Sequence, residues 1–379
     1  MSVAEEQVIQ QEEENNNGLE AKFLSACYDG NSKLAQELVD QGVEIFCTDE
    51  TGRSALHFAA ASGDIETMDV VLKTGIPWNC LDYGGYSAGD YALQTANSQE
   101  AYDFLVSHGI RVELIMETLD KRSIPISTTE KQQGDFERDA RDNTSSDIPN
   151  EDYLNKPIVY TGDRILDAQN NGVMMEWEQP LMAEHAKAIC PTPGLKILNI
   201  GFGMGIVDRE IQLHNPGQHV IVEAHPDVYK HIIETKFLEE HPTAKVIFGR
   251  WQDKLEEIKS YGPYDGIFFD TFGEYYADMQ QFHEAIFASS EDKELGHNGS
   301  LLKKDGIYSF FNGLGGHSIL FHDVYCEIAK AHLKALGLST QYSPILTDGI
   351  DDNPEIWAGV NRPYWMLKKY NMPVCKWDI

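Results

Sequence analysis

A doubly wound α/β sheet preceded by a small all-α repeat domain is the fold that this 379-residue sequence predicts. Three observations carry that reading. The apolar runs KILNIG, HVIVEA, KVIFG, DGIFFDTFG and GIYSFFNG alternate with helical or looping stretches, as in a parallel sheet covered on both faces. The first run ends in a glycine-rich turn, Asn199-Ile200-Gly201-Phe202-Gly203-Met204-Gly205, placed to open a helix. Ahead of it the chain matches itself at a shift of about 33 residues, which pairs Gly30 with Gly63, Gly42 with Gly75, Asp49 with Asp82 and Gly52 with Gly85.

Length and composition divide the chain. At ordinary domain sizes it holds two or three folded units. Residues 1–18 are a Glu/Gln/Asn tract with nothing to bury and are predicted to be disordered. Repeats are expected over 19–116, an acidic polar linker over 117–155, and the sheet domain over 156–379. Six scattered cysteines form no CxxC pair or His/Cys cluster, so neither a disulfide framework nor a metal site is expected. No apolar run approaches the roughly 20 residues of a membrane span, and a soluble protein of the cell interior is expected. A net charge of −31 argues against direct contact with nucleic acid and favours basic partners, although the same charge also serves plain solubility.

The central repeat reads DETGRSALHFAAASGDIETMDVVLKTG. Gly52 suits a turn, Ser54 to His57 opens one helix, and Gly63 separates it from a second over 65–73. This closely resembles the ankyrin consensus. The flanking units are degenerate: the first lacks the opening turn, and the third has Gly89 where the central unit has Leu56. Atypical ends suit the caps of a short stack, and about three units make a self-supporting array. His57 then reads as a packing residue, and the stack as a surface for protein partners.

In the sheet domain, side chains at the C-terminal strand ends are the candidates for chemistry. The glycine spacing is GxGxG; a dinucleotide fingerprint wants its third glycine at 206, which is Ile206. The second strand ends in Glu223-Ala224-His225, about 20 residues on, where a carboxylate can accept from two ribose hydroxyls or stand as an ordinary loop acid. Trp251-Gln252 follows the third strand; an adenine ring can stack there, or Trp251 belongs to the core. Asp270 ends the fourth strand, beside the presumed crevice or as a helix cap. The tail, from LSTQYSPIL to RPYWMLKKYNMPV, reads as further strands completing the sheet edge.

Together with GVMMEWEQPLM at 172–182, these motifs resemble guanidinoacetate methyltransferase, a class I methyltransferase, from about Tyr160 to the C-terminus. With ankyrin-like units in front, the chain is similar to the fungal type IV protein arginine methyltransferase family. That resemblance implies S-adenosylmethionine as cofactor, an arginine δ-nitrogen as the methyl acceptor, a protein substrate of ribosomal type, and a place in cytoplasm and nucleus. It also implies roles. Phe202, Gly203, Met204, Gly205, Ile206 and Val207 would surround the methionine moiety, Glu223 the ribose with Ala224 and His225 beside it, and Trp251 and Gln252 the adenine. Met174 and Asp270 would line the cofactor and Tyr160 close the pocket. Glu178 and Asp270 match the two carboxylates that hold the guanidinium. Two departures stand out: Asn199 replaces a common acidic residue, and Asn312-Gly313-Leu314-Gly315 differs from the family's Asn-Leu-Thr-Ser. Two other readings stay open, a methyltransferase of a small guanidino acid and a catalytically silent ankyrin adaptor.

Overall fold

The computed structural model of the chain describes residues 18–121, 150–272, 276–287, 296–347, 349–350 and 353–379. The acidic N-terminal tract and the middle of the segment read as a linker lie outside them. The chain divides into two compact units, one drawn from residues up to Ala140 together with Ser318–Glu327, the other from Arg141–His317 and Ile328–Ile379.

The first unit is built from helix pairs: α1 over 18–28 with α2 (Ser32–Asp40), α3 (Ala55–Ser62) with α4 (Ile65–Lys73), and α5 (Ala88–Gln94) with α6 (Gln99–Lys121). The repeat period has a local cause. Asp49 Oδ1 accepts the amides of Thr51 and Arg53, Asp82 Oδ1 those of Gly84 and Tyr86, and Gly52 and Gly85 take φ of +83° and +81° in the same turn. His57 is buried, its Nδ1 facing the Ser54 amide at 3.0 Å and its Nε2 the Tyr86 carbonyl at 3.1 Å, so it ties one repeat to the next. Burial lowers its pKa, as expected of a neutral packing ring. Gly89 departs from the repeat pattern because a Cβ there would come within 2.8 Å of Leu320 Cβ. Helix α6 runs to Lys121 and α7 occupies Asn150–Asn155, so both ends of the presumed linker are helical. The run VELIMETLDK is rich in good helix formers, which the polar composition of the whole segment masks.

The second unit opens with a small antiparallel sheet of β1 (Val159–Tyr160), β2 (Arg164–Leu166) and β3 (Gly172–Met175). Its main sheet has seven strands: β4 (Lys196–Ile200), β5 (Gln218–Glu223), β6 (Ala244–Phe248), β7 (Tyr264–Phe269), β8 (Leu302–Phe310), β9 (Leu338–Leu346) and β10 (Lys369–Trp377), in the order β6-β5-β4-β7-β8-β10-β9. The first five are parallel, and β10 and β9 add on antiparallel. Alternate residues feed two apolar layers. Leu198, Ile200, Val220 and Val222 face one, and Ile197, Ile221 and Phe268 the other. Strand order reverses at β4, which has β5 on one side and β7 on the other, so a crevice opens at their carboxyl ends.

One element of the tail differs from expectation. The final strand starts only at Lys369, and the RPYWML run before it is irregular. Pro363 has no amide for a ladder, which is the local reason.

Candidate active site

The loop after β4 is shaped by three glycines at positive φ. Gly201, Gly203 and Gly205 have φ of +93°, +56° and +70°. A Cβ on Gly203 would lie 2.8 Å from Met174 Sδ, and one on Gly205 2.3 Å from the Phe202 ring. Phe202 is folded beneath the loop, 1% exposed, with its ring against Phe237. Met204 donates its amide to Met174 Sδ at 3.2 Å. The result is a turn that presents backbone, with a thioether on its flank.

Glu223 closes β5 and is held from the same side. Its Oε2 accepts the Phe202 amide at 2.9 Å and its Oε1 the His225 amide at 2.6 Å. Burial pushes its pKa up, and these amides act against that rise. Asn199 Nδ2 bridges the Gly201 carbonyl at 2.7 Å and Asp208 Oδ1 at 2.8 Å, beneath the turn. An amide fits this position because it must donate to two oxygens, one of them a buried carboxylate's.

One cavity gathers Met174, Glu178, Gly201, Gly203, Glu223, Ala224, Trp251, Gln252 and Asp270, with Tyr276, Phe311, Gly313, Leu314 and Tyr364 completing much of the remaining wall. Trp251 belongs to the core and also has a face on the cavity. It packs edge-on against Phe282 with 5.2 Å between centroids, and it also lines the cavity. Other predicted residues stand behind the wall. Ile206 and Val207 point into the apolar layer, and Phe202 and Gly205 support the turn. His225 caps helix α10 (numbering α8 Gln179–Ile189, α9 Ile206–Leu213, α10 Pro226–Glu234), its Nδ1 accepting the Asp227 amide and its Nε2 donating to the Lys156 carbonyl. Tyr160 donates to the Gly203 carbonyl at 3.2 Å and stacks on His231.

The two remaining acids share the cavity. Glu178 ends a 3-10 turn over Glu176–Glu178 and reaches back to the Met175 amide at 3.0 Å, a capping box that fixes its direction. Its Oε1 also accepts the Tyr364 hydroxyl. Asp270 follows β7, with its amide on the Ile200 carbonyl at 2.9 Å, and its buried Oδ2 has no hydrogen-bond partner among the described residues. Both carboxyls are pushed up from the ordinary range. Glu178 rises by burial and then by the charge of Asp270, and Asp270 by burial and then by the charge of Asp208. Ionising a buried Glu178 beside Asp270 costs free energy, and a cationic donor placed between the two acids would offset that cost.

Comparison with known proteins places the chain in a family. Residues 155–350 match the family model described as guanidinoacetate N-methyltransferase, and residues 23–115 match ankyrin repeats in three copies. Protein arginine N-methyltransferase 2 of Aspergillus fumigatus is 34% identical over 343 residues, covering 82% of this chain and 77% of that protein. Its namesake in Cryptococcus neoformans is 32% identical and covers 92% of each chain, and that of Saccharomyces cerevisiae is 31% identical, covering 82% and 77%. The chain belongs to the protein arginine N-methyltransferase 2 family.

Within this methyltransferase family, the residue that sequence reasoning passed over is Tyr364. It sits 186 positions from Glu178, in the RPYWML run assigned to a strand. The proline was the available signal that this run is a loop, and a tyrosine in a loop that returns to the sheet's carboxyl edge is a candidate for the site. Gly172 was quoted only as part of a motif, yet a Cβ there would lie 2.9 Å from the Tyr364 ring.

Proposed function

We propose that the chain transfers a methyl group from S-adenosylmethionine to the δ-nitrogen of an arginine in a protein of ribosomal type. The observation that carries this reading is the pair of acids, a buried Glu178 and a half-buried Asp270 whose Oδ2 is buried, lining one cavity with the glycine turn and Glu223.

The residues fit the cofactor. Gly203 leaves room beside Met174 that a Cβ would fill, Glu223 offers a buried carboxylate for hydroxyl donors, and Asp270 Oδ2 has acceptor capacity to spare. Gly203, Met174, Glu223, Ala224, Trp251 and Gln252 would hold it. S-adenosylmethionine supplies an electrophilic methyl group on a sulfonium.

The protein's task is then to present a poor nucleophile. A guanidinium keeps its proton to a pKa above about 12 and spreads its lone pairs through the π system. Glu178 and Asp270 would accept terminal N–H groups, draw positive charge onto those nitrogens and leave electron density on the remaining one. The same two charges offset the gathering of two cations in a site screened from water. Phe311, Gly313 and Leu314, on the wall where the resemblance departs, offer apolar contact rather than charge to the rest of the acceptor. That favours an arginine side-chain stem over a short free acid, and the repeats favour a protein as its carrier.

The test incubates the full chain with labelled S-adenosylmethionine and either ribosomal proteins or guanidinoacetate, then hydrolyses and identifies the methylated amino acid. Label in δ-N-methylarginine supports the reading. Label on guanidinoacetate alone replaces it with the small-molecule enzyme, and cofactor binding without transfer replaces it with the adaptor.

A further inference from the structure

Glu178 is held unequally. Its Oε1 takes two donors, the Met175 amide and the Tyr364 hydroxyl, while no hydrogen bond within the described residues falls on Oε2. The first donor is local and comes with the capping box. The second is not: it arrives on a loop pinned on both sides of Tyr364, where the Asn361 amide donates to the Asn170 carbonyl at 2.8 Å and the Met366 amide to the Gly316 carbonyl at 2.7 Å.

The ring is fixed as well. It lies 5.1 Å from Trp357 and 5.8 Å from Trp177, centroid to centroid, and Trp357 is itself anchored by a bond from Nε1 to the Ile350 carbonyl at 2.8 Å. Against its other edge sits Gly172, with no room for a side chain. A carboxylate with one oxygen doubly occupied rotates little about its last bond, so it meets a planar guanidinium from one direction only. With Asp270 in the same cavity, that direction decides which nitrogen is left unbonded and free to face the methyl group.

We propose that Tyr364 is a positioning residue that sets which guanidino nitrogen is methylated, by holding Glu178 Oε1 so that Oε2 alone meets the substrate. This rests on the guanidino-methyltransferase reading above. It adds a residue and a selectivity that the pair of acids does not by itself specify.

The experiment compares wild type with Tyr364→Phe on an arginine peptide, reading the ratio of internal to terminal N-methyl products by mass spectrometry, with kcat, KM and S-adenosylmethionine affinity measured alongside. The expected result is a ratio shifted by about tenfold or more and a lowered kcat at unchanged cofactor affinity, since loosened orientation acts on the reacting geometry. An unchanged ratio overturns the proposal whatever happens to the rate, because a merely structural loss slows both products alike. Should Tyr364→Phe fail to fold, Gly172→Ala, which displaces the ring and keeps the hydroxyl, is read in the same way. If wild type leaves arginine peptides untouched, the arginine reading fails separately, and the ratio is read on guanidinoacetate, which has the same internal and terminal nitrogens. Transfer to neither substrate overturns both.

Discussion

Gly201 and Asp270 meet backbone to backbone: a Cβ on Gly201 would stand 1.8 Å from the Asp270 carbonyl oxygen. The glycine turn and the candidate acid are thus one unit, joined across the switch point of the sheet, and the Asp270 amide returns a bond to the Ile200 carbonyl at 2.9 Å. Gly201→Ala must therefore part β4 from β7 or break a strained φ of +93°. We expect a loss of more than about 3 kcal/mol by chemical denaturation, or no soluble protein. Wild-type stability in that variant would contradict the close approach.

Asp270→Asn separates stability from catalysis. The folded carboxyl titrates above its unfolded value. The folded state therefore binds the proton more tightly, and the charge costs stability above the raised pKa. That cost fades as pH falls through the raised value toward about 4, the unfolded figure. The variant should melt a few degrees higher than wild type at pH 8, with the gap closing toward pH 5, while turnover falls by about 100-fold or more. A lower melting temperature at pH 8 would count against the burial of this charge.

Glu223→Gln should weaken cofactor binding. The carboxylate accepts the Phe202 amide of the glycine turn and the His225 amide of its own loop, and an amide side chain must turn a donor toward one of them. Titration calorimetry with S-adenosylmethionine is expected to show a loss of about 10- to 100-fold, in the range of a charge-assisted hydrogen bond. Unaltered affinity would remove Glu223 from the site.

Asn199→Asp puts an acidic side chain near the end of β4, and here it should do harm. The new carboxylate would face Asp208 Oδ1 and the Gly201 carbonyl, both currently bonded to Nδ2, at a position with no solvent exposure. An uncompensated buried charge of this kind costs about 3–5 kcal/mol. Equilibrium unfolding at neutral pH gives the number, and the loss should shrink in acid as the new group takes a proton.

What lay open in the sequence was everything with a local cause. The 33-residue period repeats because each turn is closed by an aspartate that caps the amides beside it, a bond made within four residues. The sheet was legible because its central parallel strands, β4, β5 and β7, are buried on both faces and read as continuous apolar runs. Glu223 and Asp270 were legible because the last residue of a strand and the one after it lie at the edge where the crevice opens. Tertiary structure decided the rest. It determined which predicted residues face the cavity and which, such as Ile206, Val207 and His225, support it from behind, because side-chain direction depends on what packs against each turn. It also brought Tyr364 to Glu178 across 186 positions, a pairing with no period or spacing to betray it, because a loop's path is set by distant hydrogen bonds rather than by its own residues.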